Sequence, residues 1–162
     1  MPSVRIQERN SNKSKGRRTM KATELRIGNW VKMKKSDPIE NYQISAILKK
    51  GVNSGSVGML YEIIEPIPLT EEWLERFGFE PVFLENTDGE VLQDYHELNI
   101  DGFSKIVIES DFSFGIEDCR DTDCSVIFKN DILDSVHRLQ NLYFALTGKE
   151  LQTDETKKKV KE

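Results

Sequence analysis

The side chains able to do chemistry are few and scattered. Cys119 and Cys124 have four residues between them, and His96 and His137 are the only histidines. Structural zinc takes Cys and His ligands at short paired spacings, so that one tight knuckle supplies two of them. Here the cysteine pair is loose and each histidine is distant, so the pattern predicts no metal site and no cofactor. Neither cysteine stands in a context that would activate a thiolate. The carboxylates Glu117, Asp118, Asp121 and Asp123 crowd into one stretch. They lack the alternating Asp/Asn ligands, central Gly and terminal Glu of a calcium loop. Gly51, Gly55 and Gly58 come without Gly-Lys-Ser/Thr and join strand to strand, whereas phosphate cradling needs a helix N-terminus. Nothing in these patterns predicts an enzyme.

What remains is charge and its layout. The formal net charge is −5, but its distribution is uneven. Arg5, Arg9, Lys13, Lys15, Arg17 and Arg18 stand against Glu8 alone in residues 1–19. Between Glu62 and Arg138 the balance reverses, with 20 acidic groups against 5 basic ones. So acidic a body repels nucleic acid and attracts basic surfaces, with a range set by salt. The basic stretch can meet phosphates through counterion release, but it has no aromatic residue to stack on a base. Two partner-facing groups follow. One is the acidic loop Glu117, Asp118, Asp121 and Asp123. The other is the polar face of a C-terminal helix, with Asp134, His137, Arg138 and Asn141, in which Asp134 and Arg138 can pair at i, i+4. Each also has a plainer reading as solvated surface.

The elements that would position these groups are legible from periodicity. Residues 1–19 read as a disordered basic arm, 20–151 as one α+β domain, and 152–162 as a charged tail. Within the domain, apolar residues around Gly28-Asn29, the alternation Tyr42, Ile44, Ala46, Leu48, and the stretch Val57–Ile64 predict an antiparallel meander over 23–65. An SH3-like half-barrel is one form such a meander takes. The Gly/Ser stretch 51–56 reads as its hairpin loop. Pro66 and Pro68 then lead to Thr70, a suitable N-cap for a short central helix that carries Trp73, Leu74 and Phe77 and ends at Gly78. Strands follow from Phe79 to Phe128, turning at Asp88-Gly89, Asp101-Gly102 and Ser110-Asp111. A last helix buries Ile132, Val136, Leu139, Tyr143 and Leu146 and stops at Gly148. The expected fold class is therefore α+β: an antiparallel sheet packed by a short central helix and a C-terminal helix.

Composition sets outer bounds. The 162 residues are 37% hydrophobic and 31% charged, with no apolar run near the ~18 residues that span a bilayer. Two cysteines exclude a disulfide scaffold, and the first twenty residues lack the apolar segment of a secretory signal. Met20 is a second candidate start. These readings predict a soluble cytoplasmic protein with no membrane partner.

Three segments together carry a resemblance. They are Met20-Lys-Ala-Thr-Glu-Leu-Arg-Ile-Gly-Asn-Trp-Val, then Ile64-Glu-Pro-Ile-Pro-Leu-Thr-Glu-Glu-Trp-Leu-Glu-Arg-Phe-Gly-Phe, then His137-Arg-Leu-Gln-Asn-Leu-Tyr-Phe-Ala-Leu-Thr-Gly-Lys-Glu-Leu. In this order they resemble a family of small proteins carried by phages, prophages and mobile elements of gut and related anaerobes. No catalytic motif travels with the segments, and their positions look like framework. The resemblance implies a setting, the host bacterial cytoplasm, where such proteins act by binding in host takeover or evasion of host defence. An acidic body can occupy the basic channel of a nuclease, which implies an inhibitor of a nucleic-acid-handling defence protein. A guide-loaded CRISPR nuclease is the leading target, the protein then being of anti-CRISPR type, with non-specific RNA contact through the basic arm. A module that sequesters a small ligand or nucleotide, and a phage structural or regulatory accessory protein, are the alternatives.

Overall fold

The computed structural model describes residues 19–34, 40–118, 120 and 125–154, with the side chains of 91–93 and 125–132 outside that description. The N-terminal lobe holds two three-stranded antiparallel sheets. In one, β1 (Trp30–Met33) lies between β2 (Asn41–Gln43) and β6 (Ile64–Pro66). In the other, β4 (Gly51–Ser54) lies between β3 (Ala46–Ile47) and β5 (Val57–Leu60). The expected alternation from Tyr42 to Leu48 does not run through: Ile44 is buried in the lobe's core between β2 and β3, while Leu48, past the end of β3, is 51% exposed. The expected loop over 51–56 is mostly strand, and only Gly55 and Ser56 turn. Gly51 is required there, because a Cβ would stand 2.0 Å from the Met59 carbonyl oxygen across the ladder. Likewise 57–64 is two strands joined by a turn, not one.

Thr70 caps the short helix α1 (Glu71–Arg76): its hydroxyl accepts from the Trp73 N–H at 3.4 Å. Glu71 and Glu72 occupy the first turn, where the helix dipole favours anions. So short a helix depends on packing, which Trp73, Leu74 and Phe77 provide from buried positions. After it comes a five-stranded antiparallel meander: β7 (Glu80–Glu85), β8 (Val91–Asn99), β9 (Ser104–Glu109), β10 (Ser113–Asp118) and β11 (Ser125–Ile132). Strand order follows the chain, so β9 is central and β7 and β11 are the edges. Phe112 closes the β9–β10 turn with φ 61, a left-handed conformation costly for a bulky residue. Its N–H donates to Glu109 O and its carbonyl accepts from Leu133 N, both at 2.9 Å, which holds it there.

The last helix, α2, spans Val136–Thr147 and ends on Gly148 at φ 69. It starts later than the periodicity suggests. Ile132 belongs to β11, Leu146 is 41% exposed, and the buried stripe is carried by Val136 and Leu139. The chain is thus α+β, with three antiparallel sheets and two helices among the described residues. It has two hydrophobic clusters. Met20, Leu25, Val31, Ile44, Val52, Met59 and Ile64 fill the N-terminal lobe, while Ile106, Ile108 and Phe114 of the large sheet pack against α1 and α2.

Candidate functional site

Two regions collect interacting polar side chains, and among them are Asn141 and Glu117, which the sequence singled out. The first is the seam between the N-terminal lobe and α2, where all three quoted segments meet. Gln140, 1% exposed, accepts from the Trp30 N–H through Oε1 (2.9 Å) and donates from Nε2 to Gly28 O (3.0 Å) and Leu151 O (3.5 Å). Asn141 donates to Glu24 O at 2.9 Å. The Arg26 guanidinium lies 3.1 Å from the Phe144 ring centroid and pairs with Glu150 at 2.8 Å. Trp30 packs on Trp73 with centroids 5.8 Å apart, and Trp73 on Phe77 at 5.6 Å. These contacts turn strands, helix and C-terminal segment into one frame.

This frame corrects the expected polar face of α2. His137 is 4% exposed and Asn141 half-buried, so neither stands on an open surface. Only Asp134 and Arg138 do, paired at 3.3 Å. Burial pushes the Asp134 carboxyl up, but the Ser135 hydroxyl, Arg138 and His137 outweigh it and hold it below the usual carboxylate range. The physical reason is that a helix in a crevice between two lobes is covered on two sides, so one apolar stripe underestimates its contacts.

The second region is the outer face of the five-stranded sheet. Residues directly opposite in antiparallel pairs share a face. The apolar set His96, Leu98, Ile106, Ile108 and Phe114 faces the helices, which leaves Glu80, Val82, Tyr95, Glu97, Lys105, Val107, Glu109 and Glu117 on the other side. Lys105 sits at its centre. Its ammonium meets Glu97 at 2.7 Å and Glu117 at 3.4 Å, with all three side chains under a quarter exposed. The hydrogen bond to Glu97 is the main reason that the Lys105 pKa is raised above 10.5; partial burial opposes it, and the Glu97 and Glu117 charges add to the rise. Among the described side chains the face sets four carboxylates, Glu80, Glu97, Glu109 and Glu117, against this one ammonium, and Glu80 stands directly opposite Glu97. Tyr95 lies among them, between Val82 and Glu109 in the register. The result is an acidic sheet surface that includes one tyrosine.

Of the acidic loop, Glu117 and Asp118 are strand residues at the end of β10 rather than loop residues. Glu117 faces outward to Lys105, and Asp118 accepts from Arg120 Nε at 3.1 Å. Asp121, Asp123, Cys119 and Cys124 lie outside the described residues, as do Arg5, Arg9, Lys13, Lys15, Arg17 and Arg18 of the basic arm. His96 is buried beside a crevice bordered by Glu71, Asp94 and Glu109. Among the described residues no three His, Cys, Asp or Glu side chains come together as metal ligands.

Of the outward set the sequence reading named only Glu117, because the other members are scattered along the chain and do not form a dense acidic run. The signal was the phase opposite the apolar alternation: Tyr95 and Glu97 on either side of His96, and Lys105, Val107 and Glu109 around Ile106 and Ile108. A cleft of about 550 Å³ also opens beside the seam, near Arg26, Gln43, Ile44, Glu150 and Leu151. It has no aromatic lining, and its one cation is held by Glu150 and Phe144.

Fold and surface therefore define a small α+β protein with an acidic sheet face. Comparisons with protein-family models, with curated proteins and with solved structures return no match for this chain. Among the described residues no helix is long and apolar enough to cross a membrane.

Proposed function

We propose that this chain is a non-enzymatic binding protein whose acidic sheet face meets a basic, nucleic-acid-binding surface of another protein and competes with nucleic acid for it. The observation that supports this most is the outer face itself, where among the described side chains four carboxylates share one face with a single lysine that two of them already hold. Such a face imitates the charge of a phosphate backbone, and electrostatic steering speeds its encounter with a positive channel. Glu97 and Glu117 are fixed by Lys105, so part of the face is ordered before binding. Within the setting implied by the phage-protein resemblance, an RNA-guided defence nuclease is the target to test first. The aromatic-free cleft beside Arg26 gives the small-ligand alternative little support.

The test is competition. The full chain is titrated into a guide-loaded nuclease holding labelled target DNA, at two salt concentrations. Displacement that weakens as salt rises is the expected result, because a charge-driven contact is screened within roughly 10 Å at 0.1 M salt. A second chain carries Glu80→Lys and Glu109→Lys, both on the outward face, sparing Glu97 and Glu117, which hold Lys105. It should lose competition while melting near the parent's temperature. Absence of displacement by the unaltered chain at micromolar concentration would overturn the nuclease reading.

A further inference from the structure

The large sheet has an end as well as a face. β7 is hydrogen-bonded to β8, and among the described residues no strand lies on its other side. An open edge presents unpaired main-chain N–H and C=O groups, the template for strand addition. Phe83 and Leu84 are neighbours on it, 57% and 46% exposed. Being consecutive, they project to opposite faces of the sheet, so an added strand would cover apolar surface on both.

The charges on either side of this pair select the occupant. Glu80 and Glu85 bracket the strand, and both are exposed. A second copy pairing antiparallel over the full six residues would set Glu80 against the copy's Glu85 at each end, two like-charge pairs that oppose association. Pro81 and the register shift between Leu84 and Glu85 blunt the edge against indiscriminate pairing as well. A segment with Lys or Arg five residues apart turns both end pairs from repulsive to attractive. Apolar residues between its two cations would cover Phe83 and Leu84.

We propose that β7 takes up an extended, basic-flanked apolar segment of the partner protein as an additional strand of the sheet. This rests on the reading of the chain as an acidic binding protein and adds main-chain pairing to it. Charge would then bring the partner in, and the ladder would set its register and slow its release.

The probe is a labelled peptide, Lys-Val-Thr-Val-Ile-Lys, blocked at both ends. Two analogues are N-methylated at alternate residues, one in each phase, which keeps the charges but removes main-chain donors from one edge. With the full chain, the parent peptide should bind and slow amide exchange along β7. One methylated phase should bind about tenfold more weakly, the worth of one or two ladder hydrogen bonds. Phe83→Ser with Glu85→Lys, at exposed positions, should weaken the parent peptide to a similar degree without lowering the melting temperature. Equal binding by all three peptides, binding without β7 protection, or no binding overturns strand addition. So does protection of the β7 amides already in the free chain, which would assign the edge to a second copy or to this chain's own basic segment. Peptide failure alongside intact nuclease competition removes only the strand; lost competition with intact peptide binding removes only the nuclease target.

Discussion

Polar side chains do opposite work in the two regions described. At the seam, Gln140, Asn141 and Arg26 are buried or half-buried and spend their hydrogen bonds on this chain's own backbone and on Glu150. On the outer sheet face, Glu80 stands open and, among the described side chains, the carboxylates outnumber the one cation. An unmatched donor or acceptor buried at the seam costs about 1–3 kcal/mol. The bonds of Gln140 and Asn141 matter the more beside Arg26 Nε, Asn29 Nδ2, Trp30 Nε1 and Asn141 Oδ1, buried there with no hydrogen-bond partner among the described residues. A carboxylate in water carries no such cost and stays available to a partner. The seam should therefore answer to substitution in stability, and the face in binding.

The sharpest challenge to that division is Phe77→Ala, which empties a fully buried ring beneath Trp73. It should cost about 3–5 kcal/mol in chemical denaturation. Gln140→Leu comes next. It keeps much of the volume but takes from the Trp30 N–H its acceptor and leaves the Gly28 carbonyl with the Gln43 amide alone. A loss of about 2–3 kcal/mol is expected, and a near-neutral result would show that the seam does not rely on its polar links.

Lys105 tests the boundary between the regions, because it lies on the face and yet is mostly buried. Lys105→Ala leaves Glu97 and Glu117 facing each other, for a loss of roughly 1–2 kcal/mol. Its titration has a definite sign. The folded-state pKa is raised, chiefly by the Glu97 hydrogen bond, so the folded chain holds the proton more tightly than the unfolded one. That stabilisation is complete below pH 10.5 and disappears as pH climbs through the raised value, and Lys105→Ala should abolish this alkaline loss. Asp134 runs the other way. Its lowered pKa gives stability above 3.8 that is lost on acidification, a small effect for an exposed pair. The smallest change belongs to the two charge reversals at Glu80 and Glu109, which should move stability by no more than about 0.5 kcal/mol. A large destabilisation by those reversals would mean that the face is structural after all.

Much of the fold was legible in residue spacing. Thr70 and Gly148 announce the ends of two helices through capping chemistry, and Ile106, Ile108 and Phe114 announce strands through period two. Errors came where a local pattern had two possible owners. Ile132 fits the helical stripe of α2 as well as a strand, and pairing with Ser113 of β10 assigns it to β11. Gly51 to Ser54 looked like loop because glycine and serine disfavour strands, yet the close approach of Met59 admits only glycine at the first of them.

The sequence by itself determined the acidic body, the helix caps and the alternations, since these depend on residue type and near neighbours. Tertiary structure alone decided that Gln140 would join Gly28 and Trp30 across 112 and 110 positions of chain. It also decided that β7 would be an edge, and that Lys105 would be clamped by strands on both sides. Periodicity tells which side chains share a face of one element. Which elements then lie beside that face, and which edge is left uncovered, depends on long-range pairing that no local window contains.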